Sequence, residues 1–299
     1  MSALKSIIKL IRVYQWIKSG FILMPFLFSE HLQLVFQSPL GDTALRDLPR
    51  LAAALLGFSF LASFGYVLND WKDRELDRRD PHKCKRPLAS GAVSPSLGAL
   101  IALTLLSLSF VFAAFLPLKV MLVFTGYALF NIVFYSFLGK RILLLDVFII
   151  AIGFVMRVLV GAYALEIDAS PWLISVTFFI ALFLGFSKRY NEVQSGPPEK
   201  MLGGNYNAGV LSHFLNISAA LCIMNYALYC ILGKHAKAQL YLSVPLVVLG
   251  IFRYYVVTHA PSEKSGNPSD VLFADRYLLG VIAFWVFLVA GLLLYFEAG

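Results

Sequence analysis

Long apolar segments recur along the whole chain, and they constrain its fold more than any other feature. A membrane-spanning helix needs roughly 20 mostly apolar residues, and by that rule the sequence holds about nine candidates. Since 59% of the residues are hydrophobic and only 14% are charged, one soluble core could not bury them all. The chain is therefore predicted to be an all-α, polytopic membrane protein forming a single membrane-embedded domain over residues 1–299. The predicted spans are 20–37, 50–68, 97–116, 119–138, 142–164, 171–187, 210–232, 239–258 and 277–296.

The segment before the first predicted span, residues 1–19, has an amphipathic pattern. Lys5, Lys9 and Arg12 fall on one helical face, while leucines and isoleucines fall on the other. This pattern is typical of a helix that lies in the membrane interface. The basic flank of a first span would look the same, so both interpretations stay open.

Lys and Arg are concentrated in alternate loops between the predicted spans. Cytoplasmic loops of membrane proteins carry an excess of these residues, which sets the orientation of the chain. The bias predicts a cell-membrane protein with a cytoplasmic N-terminus and an external C-terminus. It also places the three long loops, residues 69–96, 188–209 and 259–276, in the cytoplasm, where we expect the active site.

The first of these loops begins with an acidic cluster. Asp70, Asp73 and Asp77 stand at i, i+3 and i+7, so they project from one face if the preceding helix continues. Asn69 lies beside them, and a basic stretch follows at 83–86. Mg²⁺ prefers carboxylate oxygens and bridges to phosphates, so the pattern predicts a site that neutralises a diphosphate. A solvated charged loop is the competing interpretation.

Two further positions point to phosphate binding. Lys188 and Arg189 open the second long loop, although positive flanks of a span would look alike. Arg157 lies within an apolar stretch, where an unpaired charge costs at least about 2.5 kcal/mol. We therefore expect Arg157 to face a polar pocket, which Asp146 would also line, or to form a structural ion pair.

These residues resemble the UbiA superfamily of intramembrane prenyltransferases. The likeness covers essentially the whole chain, and the acidic cluster matches the first aspartate-rich motif of that superfamily. Within it, the chain is most similar to a branch that transfers a phosphoribosyl group to decaprenyl phosphate. The matching pieces are Arg12-x-x-Gln15-Trp16-x-Lys18, Asp80-Pro81-His82-Lys83-x-Lys85-Arg86, Lys188-Arg189-Tyr190-x-Glu192, Arg253-Tyr254 and Asp275-Arg276. The third of these stands where ordinary prenyltransferases carry a second acidic motif.

The resemblance implies a Mg²⁺-dependent transferase with two substrates. One is phosphoribosyl diphosphate, a soluble donor, and the other is a polyprenyl phosphate lipid that accepts the sugar for synthesis of cell-envelope polysaccharide. Asp70, Asp73 and Asp77 are the predicted catalytic and metal-binding residues. The predicted substrate contacts are Gln15, Lys18, Asn69, Lys85, Arg86, Tyr135, Lys140, Arg157, Lys188, Arg189, Glu192 and Tyr206.

Two other functions remain open from the sequence. A UbiA-type prenyltransferase acting on an aromatic or other small acceptor would need the same aspartates, but it does not account for the bases at Lys188 and Arg189. A transporter or lipid scramblase would account for the spans and for Arg157, but not for three acids on one face of a helix beside the membrane.

Overall fold

Apolar helices build the part of the molecule that the structure describes, as the sequence predicts. The computed structural model describes residues 3–81, 83–139, 142–195, 207–233, 238–259 and 268–295. Within those ranges, eight helices are long and apolar enough to cross a membrane, and a bent pair of shorter helices would make a ninth. The predicted all-α fold with about nine spans is confirmed.

The helices are numbered along the chain. Three 3₁₀ segments, Val13–Leu23, Lys83–Lys85 and Ala238–Ser243, lie between them, and a π-helical segment at Tyr127–Phe134 joins α6 to α7. The α-helices are α1 Ala3–Ile11, α2 Met24–Leu27, α3 Glu30–Gln37, α4 Asp42–Arg79, α5 Pro95–Ala114, α6 Leu118–Gly126, α7 Tyr135–Phe137, α8 Leu145–Ala164, α9 Pro171–Ser195, α10 Ala208–Leu232, α11 Val244–His259, α12 Pro268–Ala274 and α13 Arg276–Tyr295.

The first predicted span is broken. Val13–Leu27 and Glu30–Gln37 meet at an angle of 84°, so the chain enters the bundle and turns sharply within it. Pro25 stands in the first turn of α2, a position that proline tolerates. The break lies between Leu27, where α2 ends, and Glu30, where α3 begins. The 3₁₀ segment before α2 packs against α4 and α8.

A glycine permits the closest of these approaches. A Cβ atom added to Gly161 of α8 would lie 1.9 Å from the carbonyl oxygen of Ile22 in the 3₁₀ segment. Two heavy atoms cannot come that close, so only glycine allows the two backbones to touch here. This contact fixes the depth at which the 3₁₀ segment sits beside α8.

Helix α4 is far longer than the predicted span. It covers 38 residues and continues past the apolar stretch, so that the acidic cluster lies on its last turns. The helix thus continues through this motif, as the sequence predicts, and Asp70 and Asp77 are both buried. We call the end of the bundle that carries Asp70 and Asp77 the Asp70 end, and the opposite end, which carries Asp47, the Asp47 end.

Candidate active site

Two aspartates of α4 share one arginine at the Asp70 end. Nη1 of Arg86 donates to Oδ1 of Asp70 at 3.1 Å and to Oδ2 of Asp77 at 2.7 Å. A single guanidinium nitrogen reaches both carboxylates because they stand two helical turns apart on one face of α4. The predicted common face of these acids is therefore present, and Asp73 lies between them in the sequence, partly exposed.

Arg12 holds Asp70 from the other side. Its Nη2 donates to Oδ1 of Asp70 at 2.7 Å, and its guanidinium lies 5.0 Å from the ring centre of Tyr66. Arg12 has a φ of 53° and a ψ of 51°, a left-handed conformation that is uncommon outside glycine. This conformation ends α1 and starts the 3₁₀ segment, so backbone strain coincides with a contact to the acidic cluster.

The 3₁₀ segment is fastened to α4 by polar side chains. Nε1 of Trp16 donates to Oγ of Ser63 at 2.9 Å, and Oγ of Ser59 donates to Oγ of Ser19 at 2.9 Å. Gln15 is buried in the same segment. These bonds place Lys18, two residues after Trp16, partly buried near the Asp70 end.

A second charged cluster forms where α8 and α9 meet. Nε of Arg189 donates to Oδ2 of Asp146 at 2.6 Å, and both side chains are buried. Arg189 also pairs with Glu192, whose Oε1 lies 3.7 Å from Nζ of Lys188. Tyr135 lies beside this cluster, where the charges of Arg189 and Asp146 act on its hydroxyl.

Arg157 is a residue of α8, and its side chain is enclosed by aromatic rings from three different segments. It is 5% exposed, and its guanidinium carbon lies 4.8 Å from the ring centre of Phe58, 5.3 Å from that of Tyr127 and 5.2 Å from that of Phe154. Nη1 donates to the carbonyl oxygen of Gly153 at 2.7 Å, and Nη2 donates to the Tyr127 hydroxyl at 3.3 Å. Tyr127 begins the π-helical segment, a feature that is frequent at functional sites.

A large apolar cavity lies next to these charged clusters. Its volume is about 1130 Å³, and it is lined by the 3₁₀ segment Val13–Leu23 and by residues of α2, α3, α4 and α8 to α13. Lys18, Lys188 and Arg189 line it at the Asp70 end, while Phe36 and Leu48 line it toward the Asp47 end. Its remaining walls are almost entirely apolar or aromatic, so its cations are confined to one end.

An ion pair joins α11 to the residue just before α13. Nη2 of Arg253 donates to Oδ2 of Asp275 at 2.7 Å, just before α13 begins. Hydrogen bonds from Arg253 hold the pKa of the Asp275 carboxyl below its usual value. On α12, Leu272 lines the apolar cavity, and the charge of Asp270 acts on Lys18.

The structure thus brings most of the predicted site residues to one end of the bundle. Lys85 is an exception, because its side chain is exposed and its carbonyl oxygen accepts a hydrogen bond from Lys9 at 2.9 Å. Lys140 and Tyr206 lie outside the described residues. Asn69 is partly buried on α4, beside Asp70.

The sequence-based list omitted several residues of the site. Arg12 appeared only as part of a motif, and nothing in its spacing indicated a bond to an aspartate 58 positions away. Tyr66 and Tyr127 read as ordinary apolar-span residues. Asp146 was considered only as a companion of Arg157, whereas it pairs with Arg189.

The arrangement of acids bears on the predicted metal site. Among the described residues, no group of three His, Cys, Asp or Glu side chains is arranged to hold a metal ion. Oxygens of Asp70 and Asp77 nevertheless converge on one cationic nitrogen of Arg86. This donor set suits a cation, so Mg²⁺ ligation by Asp70, Asp73 and Asp77 stays a prediction that their chemistry fits.

Comparisons with known proteins agree with this architecture. The chain is 28% identical over 292 residues to the decaprenyl-phosphate phosphoribosyltransferase of Corynebacterium glutamicum, covering 94% of this chain and 85% of that protein. It is 27% identical to the enzyme of the same name from Mycolicibacterium smegmatis, covering 97% and 93%. Among solved structures, a UbiA homolog from Archaeoglobus fulgidus bound to GPP and Mg²⁺ has the same fold, with a TM-score of 0.69, 18% identity and coverage of 97% and 99%.

The family assignment rests on most of the chain. The profile of the UbiA prenyltransferase family matches residues 34–274, which include the acidic cluster of α4 and the Lys188–Arg189 pair of α9. The protein is thus a multi-pass membrane protein and belongs to the UbiA prenyltransferase family.

Proposed function

We propose that this enzyme transfers the 5-phosphoribosyl group of phosphoribosyl diphosphate to a polyprenyl phosphate and releases diphosphate. One observation carries the proposal: Lys18, Lys188 and Arg189 line one end of an otherwise apolar cavity. A cavity of that kind fits an amphiphile with an anionic head and a long hydrocarbon tail. The similarity to two decaprenyl-phosphate phosphoribosyltransferases supports the same choice of acceptor.

The end of the cavity that Lys18, Lys188 and Arg189 line suits a phosphate better than it suits a neutral acceptor. Lysine and arginine donate hydrogen bonds to phosphate oxygens, and arginine does so with a planar, two-pronged geometry. Arg189 is oriented by Asp146 and Glu192, which leave Lys188 beside it at the cavity wall. In this proposal the lipid phosphate lies against Lys188 and Arg189, and its tail runs toward Phe36 and Leu48.

The acidic cluster would hold the leaving group of the soluble donor. Asp70 and Asp77, with Asp73, are the residues that would bind Mg²⁺, which neutralises charge on a departing diphosphate when it is bound. Arg12 and Arg86 contact the same carboxylates and carry their own charge to this position. The donor would reach the Asp70 end from the cytoplasm, in line with the distribution of Lys and Arg.

The residues at the two clusters divide the reaction between them. Arg12 and Arg86 bind and orient the diphosphate, while Lys188 and Arg189 hold the attacking phosphate opposite the anomeric carbon. A phosphate oxygen is already anionic at neutral pH, so the nucleophile needs no general base. Its attack breaks the bond to diphosphate and inverts the anomeric carbon. The partly buried rings of Tyr66 and Tyr135 limit the access of water, which would otherwise compete with the lipid.

The direct test uses the detergent-purified full-length protein with labelled phosphoribosyl diphosphate and Mg²⁺. With a polyprenyl phosphate present, we expect diphosphate release and transfer of the ribose label into the lipid fraction. Chelation of divalent metal should stop the transfer, and added Mg²⁺ should restore it. Diphosphate release that does not depend on the lipid would contradict the proposal.

Prenyl transfer is the second candidate, because the same cavity could hold the tail of a prenyl diphosphate. The family name and the fold shared with a GPP-bound protein favour it. In that case the protein would consume a prenyl diphosphate with an aromatic acceptor and would not label a polyprenyl phosphate. Running both substrate pairs on one preparation separates the two functions.

A further inference from the structure

Arg157 keeps one hydrogen-bond donor without a partner in the interior of the bundle. Its Nε is buried and makes no hydrogen bond within the described residues, although both terminal nitrogens do. A buried polar group without a partner costs free energy, more so when it is charged. Arg157 is only 5% exposed, so solvent cannot easily replace the missing partner.

Arg157 also lacks a counter-charge. Within the described residues it forms no ion pair with a carboxylate, and aromatic rings surround it instead. Cation–π contacts offset part of the cost of burying the charge. They do not neutralise it, and a cation inside a membrane bundle ordinarily pairs with an anion.

Lys18 adds a second positive charge next to the first. The 3₁₀ segment packs along α8 and touches it where Ile22 meets Gly161. Lys18 and Arg157 each stand four residues before that contact. Lys18 forms no ion pair with a carboxylate of the described residues, and the charges of Arg157 and Arg12 both act on its ammonium group. Asp270 of α12 is the acid whose charge acts on it, weakly compared with Arg157 and Arg12. Lys18 stands at the wall of the apolar cavity.

The Lys18–Arg157 pair therefore has the charge of an anion site with no protein anion in it. We propose that Lys18 and Arg157 form a subsite for a phosphate monoester, separate from the position of diphosphate at Asp70 and Asp77. A dianionic phosphate matches the two positive charges, and its oxygens accept from both Nε of Arg157 and Nζ of Lys18.

The two substrates of the proposed reaction each carry a phosphate monoester, on C5 of the ribose and on the lipid. The inference rests on the proposed function only for the identity of the molecule that carries this phosphate. An enzyme that moved a prenyl group to a neutral acceptor would bring a diphosphate alone, which the acidic cluster already accommodates. The subsite thus marks where the chemistry of this chain departs from simple prenyl transfer.

The test measures binding of inorganic phosphate to the detergent-purified full-length protein, by thermal shift and by calorimetry. We expect Arg157→Met to weaken phosphate binding by at least about tenfold, since a charge-assisted hydrogen bond and a charge are lost. Its melting temperature without phosphate should match or exceed that of the wild type, because an unpaired buried charge is removed. Lys119→Gln, which changes an exposed lysine of α6, is the charge-matched control and should bind phosphate as the wild type does.

Lys18→Gln provides the second variant if Arg157→Met does not fold, and it should weaken phosphate binding similarly. Dissociation constants for phosphoribosyl diphosphate and for a polyprenyl phosphate then identify the source of the phosphate. A loss confined to the first assigns the subsite to the ribose 5-phosphate, and a loss confined to the second assigns it to the lipid head. Both outcomes support the subsite.

Two results would overturn the inference. One is unchanged phosphate binding in whichever of the two variants folds, and the other is a loss for inorganic phosphate alone with both substrates bound normally. The binding assay needs no turnover, so failure of the proposed function is a separate outcome. A protein that binds phosphate through Arg157 but transfers no phosphoribosyl group would keep the subsite and refute the reaction.

Discussion

The two ends of the bundle treat buried charge differently. At the Asp47 end, Asp47 is completely buried and accepts from Nε of Arg46 at 2.8 Å, with Nδ1 of His31 at 2.5 Å from its other oxygen. A second acid at that end is also paired: Glu166 lies 2.5 Å from Nη1 of Arg50. At the Asp70 end, by contrast, Arg157 and Lys18 form no ion pair with any acid that the structure describes.

This difference separates charges that hold the fold from charges that await a ligand. A closed set of pairs contributes the same whether or not substrate is bound, and breaking it leaves a buried charge behind. A surplus of cations costs stability in the free protein and is recovered only when an anion binds. Proteins commonly accept such a loss at functional sites. Substitutions at the Asp70 end should therefore act on activity, and those at the Asp47 end on stability.

The largest effect is expected at Asp77. Asp77→Asn keeps the shape of the side chain but removes the charge that pairs with Arg86. Because this carboxylate is proposed to hold the metal against the leaving group, the turnover number should fall by about 10³-fold. Phosphoribosyl transfer to a polyprenyl phosphate is the assay, and the melting temperature in detergent is the control for folding. A variant within tenfold of wild-type activity would show that Asp77 is dispensable.

Asp47→Asn tests the other end with the same chemical change. The substitution removes the negative charge that pairs with Arg46 and His31. Removing one partner of a buried pair lowers the free energy of unfolding by about 3 kcal/mol. We expect a clear fall in the midpoint of denaturant unfolding with an unchanged turnover number per folded molecule. Arg46→Gln is the matched control, since its side chain is 48% exposed and its removal should matter far less. Wild-type stability of Asp47→Asn would remove the distinction between the ends.

The sequence predicts some features of the Asp70 end and misses others, depending on how far apart along the chain the residues involved are. The spacing of Asp70, Asp73 and Asp77 is local, and it correctly indicated both the continued helix and the common face. The bond from Arg12 to Asp70 and that from Arg189 to Asp146 join residues 58 and 43 positions apart, through contacts that no periodicity reports. The sequence therefore indicated that cations are present at this end, but it could not indicate which acid each of them contacts.

The membrane spans show a similar division. Hydropathy located the apolar helices, because lipid demands a minimum apolar length. The short first span, with Pro25 inside it, indicated that this span could tilt or break, but not that the bend is 84°. Nothing in the hydropathy indicated that Tyr127–Phe134 is π-helical. The walls of the apolar cavity also come from helices far apart in the sequence, so its existence follows from packing alone.

Gly161→Ala tests how the 3₁₀ segment is placed between the two ends. The added methyl group would collide with the carbonyl oxygen of Ile22 and push Val13–Leu23, with Lys18, away from α8. We expect a loss of about 1–3 kcal/mol of stability and a higher KM for substrate. Gly126→Ala is the matched control, because the new methyl would meet only the flexible end of Met156 at 3.4 Å. Equal stability of the two variants would contradict the close approach.

The smallest effect is expected at Glu166. Its pair with Arg50 resembles the pair at Asp47 in distance, but the Glu166 side chain is 56% exposed, whereas that of Asp47 is fully buried. Water solvates both partners once the pair is broken, and exposed ion pairs contribute little to stability. Glu166→Gln should therefore leave the melting temperature and the turnover number unchanged within error. If its melting temperature fell as far as that of Asp47→Asn, burial would not decide which charge pairs at this end stabilise the fold. The two ends would then differ only in whether their charges bind a ligand.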